Sequence, residues 1–340
     1  MEMKKDHDGT ARTAALCRKA AAQGAVLLKN EDAVLPLTAD DRVAVFGRCQ
    51  KDYYRSGTGS GGAVNVLYTT NLLDGLRNDH ITVNGMLADC YESWIAGHPF
   101  DNGGGGWACE PWCQAEMPVS QELAAKAAAA SNKAVVVIGR TAGEDKDNNA
   151  AKGSYFLTGT EKELLHNVCA HFEDVIAVLN VSNIIDMGFV QDSSHIKAVV
   201  YAWQGGMEGG NGIADVLTGR EVFQGKLTDT SAKKITDYPS DKNHGGKEKN
   251  IYQEDIYVGY RYFETFAQDA VLYPFGYGLS YTEFSISGSK AEIHGSGAQM
   301  VFCITCNVKN TGTTYRGREI VQLYVEKPAG GMGRPSRELI

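Results

Sequence analysis

The feature that most constrains this chain is a rhythm of short apolar runs. Arg42-Val43-Ala44-Val45-Phe46-Gly47, Val135-Val136-Val137-Ile138-Gly139, Val175-Ile176-Ala177-Val178-Leu179-Asn180-Val181 and Ala198-Val199-Val200-Tyr201-Ala202-Trp203 recur in order. They are short, rich in β-branched residues and without polar alternation, so each reads as a strand buried on both faces. Helical spacing is found between and before them, over 10–23, 72–76, 121–130, 158–172 and 209–217. Thr158-Gly159-Thr160-Glu161 carries an N-cap and first-turn acid, and Gly219 is a stop signal. Buried strands alternating with helices predict an α/β fold, a doubly wound, mostly parallel sheet covered on both faces.

The texture then changes. Residues 228–250 are charged and polar, a connector, and helical signals vanish beyond Ser285. Met300-Val301-Phe302-Cys303-Ile304 and Ile320-Val321-Gln322-Leu323-Tyr324-Val325 flank turn chemistry at Lys309-Asn310-Thr311-Gly312. We expect an α/β domain over 1–284, connector included, and an incomplete β-sandwich over 285–340. The abrupt stop at Ile340 predicts a fragment.

With 340 residues, 43% hydrophobic and 22% charged, the chain is long enough for two domains and ordinary for a soluble protein. A net charge of -8 argues against nucleic acid or anionic membrane as partner. No apolar run reaches membrane-spanning length and no apolar stretch backs Met1, so a cytoplasmic location is expected. The eight cysteines are scattered, unlike a disulfide framework. Cys303 and Cys306 form a CxxC, but strand alternation sends their sulfurs to opposite faces, as buried structural thiols and not a metal or redox pair. No metal-ligand cluster and no cofactor motif is visible.

Two loops hold the chemistry. Gly139 ends a buried strand, and the chain turns to Arg140-Thr141-Ala142-Gly143-Glu144-Asp145-Lys146-Asp147. Open α/β sheets place ligands at such carboxyl ends. Taken alone, a Glu in a polar loop is solvated surface. Beside another acid, Glu144 is expected to have a raised pKa, which suits a proton donor. The second loop, Ser56-Gly57-Thr58-Gly59-Ser60-Gly61-Gly62, lacks the Lys and spacing of a phosphate loop. Its glycines let backbone approach a polar ligand, with sugar hydroxyls as candidates.

Several stretches, in order, resemble glycoside hydrolase family 3, the β-glucosidase family. They are Ala25-Val26-Leu27-Leu28-Lys29-Asn30, Ser56-Gly57-Thr58-Gly59-Ser60-Gly61, Ala142-Gly143-Glu144-Asp145, Ala202-Trp203-Gln204-Gly205, Ile213-Ala214-Asp215-Val216-Leu217-Thr218-Gly219, Val258-Gly259-Tyr260-Arg261-Tyr262-Phe263 and Tyr273-Pro274-Phe275-Gly276-Tyr277-Gly278-Leu279-Ser280-Tyr281-Thr282. The resemblance implies the family's α/β sandwich domain and the start of its fibronectin type III-like domain. The family's β/α barrel, with the nucleophilic Asp, has no counterpart here. Because Met1 lies so near the first motif, the inverted-order subgroup is expected, with the barrel beyond Ile340.

By this resemblance Glu144 is the catalytic acid/base, and Ser60 with Gly59 lies at the −1 sugar. The family's Gly-Tyr after that Glu is replaced by Asp145-Lys146, which puts Lys146 at the substrate. Asp145 and Asp147 are candidates for tuning Glu144, while Trp203-Gln204 reads as packing beneath the site. The implied function is a retaining β-glucosidase acting on terminal β-D-glucosyl residues, its partners a β-glucoside or oligosaccharide, the absent barrel and a second copy of itself as homo-oligomer. Alternatives are a non-catalytic carbohydrate-binding or assembly module, or the same mechanism on β-xylosides. Retention requires two carboxyls about 5 Å apart, so this chain alone is not expected to turn over.

Overall fold

The apolar runs fall where strand periodicity puts them. In a computed structural model, which describes residues 7–62, 64–326 and 333–340, one sheet contains β1 (Val26–Asn30), β2 (Arg42–Phe46), β3 (Thr82–Val83), β4 (Lys133–Gly139), β5 (Val175–Asn180) and β6 (Ile196–Tyr201). The strand order is β1-β6-β5-β4-β2-β3. All neighbours are parallel except the edge pair β1 and β6. The reason the runs do not alternate is visible in the core. Val136, Ile138, Ala177, Leu179 and Val199 face one apolar cluster, while Val135, Val137, Ile176, Val178 and Val200 face another. Both faces of the central strands β4, β5 and β6 are dry, and each of these Val, Leu and Ile side chains contributes about 1.5–3 kcal/mol on burial.

Helices cover both faces. Ala22 of α1 (His7–Gly24), Leu72 and Leu76 of α2 (Leu72–Asn78) and Ile213 of α6 (Gly209–Leu217) pack into one cluster. Ala124 of α4 (Gln121–Ala130) and Leu164 of α5 (Gly159–Cys169) pack into the other. Thr158 and Glu161 form a full capping box at the start of α5. The aromatic, glycine-rich stretch 94–118 has no periodicity in the sequence and reads as an irregular surface insertion; helix α3 (Gly85–Gly97) corrects its start, because Trp94 belongs to the helix. Asn84 caps it, and Leu87, Ala88 and Tyr91 bury a face at helical spacing. From His98 to Pro118 the chain carries only the short turn Gly103–Gly105.

The carboxyl-terminal part is built of small antiparallel pairs. Within the connector, β7 (Ser231–Ala232) pairs with β8 (Val271–Tyr273), and α7 (Tyr260–Phe266) lies between them. The hairpin of β9 (Phe284–His294) and β10 (Val301–Asn310) does not join the large sheet, and Ile286, Ile293, Phe302 and Ile304 are exposed on it. Of the 320–325 run only Tyr324 and Val325 form a strand, β11 (Tyr324–Val325), against β12 (Glu338–Leu339). Cys303 is exposed and not buried, because β10 has no second sheet above it. All eight cysteines are free. Among the described residues no helix is long and apolar enough to cross a membrane, and no group of three metal ligands is assembled. Residues 1–6, read above for a targeting signal, lie outside the described residues.

The topology singles out one crevice. Strand β2 has β3 on one side and β4 on the other, so the connections diverge there. Parallel sheets bind ligands at the carboxyl ends of strands where the order reverses. The glycine-rich loop leaves β2, and the Glu144 loop leaves β4.

Candidate active site

Backbone hydrogen bonds tie these two loops together. Thr58 N–H donates to Ala142 O at 3.1 Å, and Thr58 and Gly143 form an isolated parallel bridge. Gly143 and Lys146 exchange N–H···O bonds of 3.1 Å, which leaves Glu144 and Asp145 at the tip of a tight turn. Asp145 takes a left-handed φ of 58°, a conformation that Asp tolerates better than most residues. Beneath the tip runs Gly59, with φ 82°. A Cβ there would lie 2.2 Å from Cβ of Glu144, so only glycine lets the loops meet.

The meeting joins Glu144 to Ser60. One Glu144 oxygen, Oε2, accepts from Ser60 N–H at 2.8 Å and from Ser60 Oγ–H at 2.7 Å. Both residues are exposed. The two donors favour the ionised form and hold the Glu144 carboxyl below its ordinary value. This reverses the expectation of a raised pKa. The neighbouring acids turn elsewhere: Asp145 Oδ2 accepts from Trp107 Nε1–H at 2.7 Å, and Asp147 pairs with His244 at 3.2 Å. Neither is among the groups that shift Glu144.

Lys146 extends over Trp112, its Nζ 4.8 Å from the ring centre, and its ammonium reaches Ala108 O at 3.5 Å. Trp112 Nε1–H in turn donates to Asp147 O at 2.9 Å. Thus the stretch after His98 brings two indoles onto the Glu144 turn. Sequence reading found the aromatics but had no spacing with which to place them. Between Trp107 and the glycine-rich loop opens a cleft of about 670 Å³, walled also by Tyr54, Arg55, Phe100 and Glu110. Burial lifts the Glu110 carboxyl above its ordinary value.

Two further residues hold the loops and were missed. Arg140, 1% exposed, clamps Glu161 through two bonds of 2.6 and 2.7 Å and donates from Nε to Ser154 O at 3.0 Å. It pins both ends of the Glu144 loop to the start of α5. Asn180, fully buried at the end of β5, donates to Tyr54 O at 2.9 Å and Trp203 O at 2.7 Å, and accepts from Tyr54 N–H at 2.7 Å. It joins the loop after β2 to the loop after β6. Polar residues ending otherwise apolar runs were the available signal. Gln204 Nε2–H reaches Arg140 O at 3.1 Å, so it braces the site from below.

Residues 25–281 match the Glycosyl hydrolase family 3 C-terminal domain. The chain belongs to glycosyl hydrolase family 3. A β-glucosidase of Ruminococcus albus is 50% identical over 318 residues, which cover 94% of this chain and 33% of that protein. The crystal structure of a β-glucosidase from Paenibacillus barengoltzii has 56% identity and a TM-score of 0.94, covering 96% of this chain and 36% of that one. β-Glucosidase 3B from Thermotoga neapolitana, solved in complex with glucose, has 33% identity and a TM-score of 0.87, covering 99% and 46%. The family 3 chain therefore spans about a third of the length of the first of these relatives. Its matched segment contains both Ser60 and Glu144.

Proposed function

We propose that this family 3 domain supplies Glu144 as the acid/base of a retaining β-glucosidase that releases terminal β-D-glucosyl residues, with the nucleophilic carboxylate on a barrel domain outside these residues. The observation that carries the reading is the Ser60–Glu144 contact, made between the loops that leave the carboxyl ends of the neighbouring strands β2 and β4. The β-glucosidases similar to this chain support it.

Glu144 first donates a proton to the leaving glycosidic oxygen as the nucleophile attacks the anomeric carbon. It then removes a proton from the water that resolves the glycosyl-enzyme. Ser60, by stabilising the carboxylate, favours the second role. The first role needs a higher proton affinity. A second carboxylate brought within about 5 Å and exclusion of water both raise it. Gly59 permits the close approach, Lys146 and Asp145 fix the turn against the two indoles, and residues 285–340 begin a fibronectin type III-like sandwich.

In the full-length enzyme, Glu144→Gly is expected to lose turnover of an aryl β-glucoside and to regain it with azide. Failure of azide to rescue removes Glu144 from this role. The 340-residue chain alone is expected to be inactive on the same substrate.

A further inference from the structure

The stretch that carries Trp107 and Trp112 to the Glu144 turn is closed at its base by one side chain. Arg48 is buried in the first turn after β2, and its guanidinium donates from Nη2 to His98 O at 2.8 Å and from Nη1 to Ala115 O at 3.0 Å. With both ends gathered on a single group, the chain from 99 to 114 is an Ω-loop. The fork is engaged on its other side as well, Nε and Nη2 bonding Asp52 at 2.8 and 2.6 Å. A second rung crosses the neck at Gln114, which accepts from Asp101 N–H at 2.7 Å and donates to Asp101 O at 2.9 Å, as a strand partner would. Trp94 stacks on His98 with ring centres 4.1 Å apart, and the Arg48 guanidinium lies over the indole at 5.4 Å.

From this neck the loop reaches the site. Trp107 Nε1–H holds the Asp145 carboxylate, and Trp112 Nε1–H holds Asp147 O. Trp112 O accepts from Thr141 N–H at 2.8 Å, on the other flank of the same turn. Glu144 precedes Asp145, so these bonds fix the turn from the side opposite the glycine-rich loop. None of the Arg48 bonds named above reaches the turn itself. A planar fork with five donors can span two carbonyls and a carboxylate at once, whereas an ammonium keeps the charge and loses the span.

We propose that Arg48 is a positioning residue: by closing the neck of the 99–114 loop it holds Trp107 and Trp112 against Asp145 and Asp147, and so sets the aim of Glu144. Its effect on turnover rests on the acid/base role given to Glu144 above, while its hold on the indoles does not.

Two measurements test it. In the 340-residue chain carrying nitrogen-15 tryptophan, with signals assigned through Trp107→Phe and Trp112→Phe, Arg48→Lys should speed hydrogen exchange at both indole N–H groups roughly tenfold, the bonds of the neck being lost. In the full-length enzyme the readout is the leaving group, because an alkoxide must be protonated as it departs and a dinitrophenolate need not be. Arg48→Lys should lower kcat/KM for an alkyl β-glucoside about tenfold, as a small misplacement of a catalytic group does, and that for dinitrophenyl β-glucoside by less than about twofold. Gln114→Ala opens only the second rung and should move both readouts the same way by less; it carries both measurements should Arg48→Lys not fold. Unchanged indole exchange in the folded variants, or equal losses on the two glucosides, overturns the proposal. If Glu144→Gly itself spares the alkyl glucoside, the acid/base role is what fails, and the indole exchange still decides whether Arg48 holds the loop.

Discussion

The Glu144 carboxylate takes both of its hydrogen bonds from Ser60, 84 residues earlier in the chain and on the loop of a different strand. The proton affinity of Glu144 is thereby set by the docking of two loops and not by its acidic sequence neighbours. Replacing Ser60 with Ala removes one of the two donors to the anion, so the Glu144 pKa should rise toward the ordinary Glu value while the backbone N–H still holds it partly down. Carbon-13 titration of labelled Glu side chains in the isolated chain reads this directly. An unmoved Glu144 titration would show that the contact is not made in solution.

Gly59→Ala should damage the same contact from below. The new methyl meets Cβ of Glu144 at 2.2 Å, at a backbone φ of 82°. Left-handed strain alone costs a non-glycine residue about 1–2 kcal/mol, and the displaced turn adds to it. Urea unfolding should show a lower midpoint at unchanged slope. A variant of full stability would mean the loops are not closely packed.

The Arg140–Glu161 pair is buried on both sides, and breaking it should be costly. Glu161→Gln leaves a buried guanidinium without its counter-charge, for an expected loss of about 3–5 kcal/mol. Replacing both partners, Arg140→Met with Glu161→Leu, should recover part of that loss, since no charge is then stranded. Chemical denaturation of Arg140→Met, Glu161→Leu and the double variant forms a cycle. A double variant as unstable as the sum of the singles contradicts this account.

Stability should depend on pH through Glu116. Its carboxylate accepts from Arg48 N–H at 2.9 Å and Met117 N–H at 2.8 Å, yet burial outweighs these bonds and pushes its pKa up to about 7, with the Glu161 charge adding to the rise. A carboxyl that binds its proton more tightly when folded stabilises the fold below the ordinary Glu range. That contribution fades as pH rises through about 7. Glu116→Gln should flatten stability across this window, by roughly 1–3 kcal/mol relative to the parent. Parallel curves for parent and variant would refute it.

The sequence by itself determined the layering. Runs such as Val135 to Ile138 have no polar face to turn to water, so they had to lie inside a sheet covered on both sides, and alternating helices made that sheet largely parallel. The cap at Thr158 was equally legible, because it acts within one turn of chain. Helix α3 escaped because Trp94 was grouped with the glycine-rich stretch after it, although Leu87, Ala88 and Tyr91 keep helical spacing.

What the tertiary structure alone decided is which side chains meet Glu144. Asp145 is next to it in the chain but points to Trp107, while Ser60 reaches it only because β2 and β4 are adjacent in the sheet. Arg140 and Asn180 likewise act across strands, Arg140 on the start of α5 and Asn180 on Tyr54 and Trp203. Backbone periodicity is a local property, whereas hydrogen bonds between loops depend on strand order, which only the assembled sheet supplies.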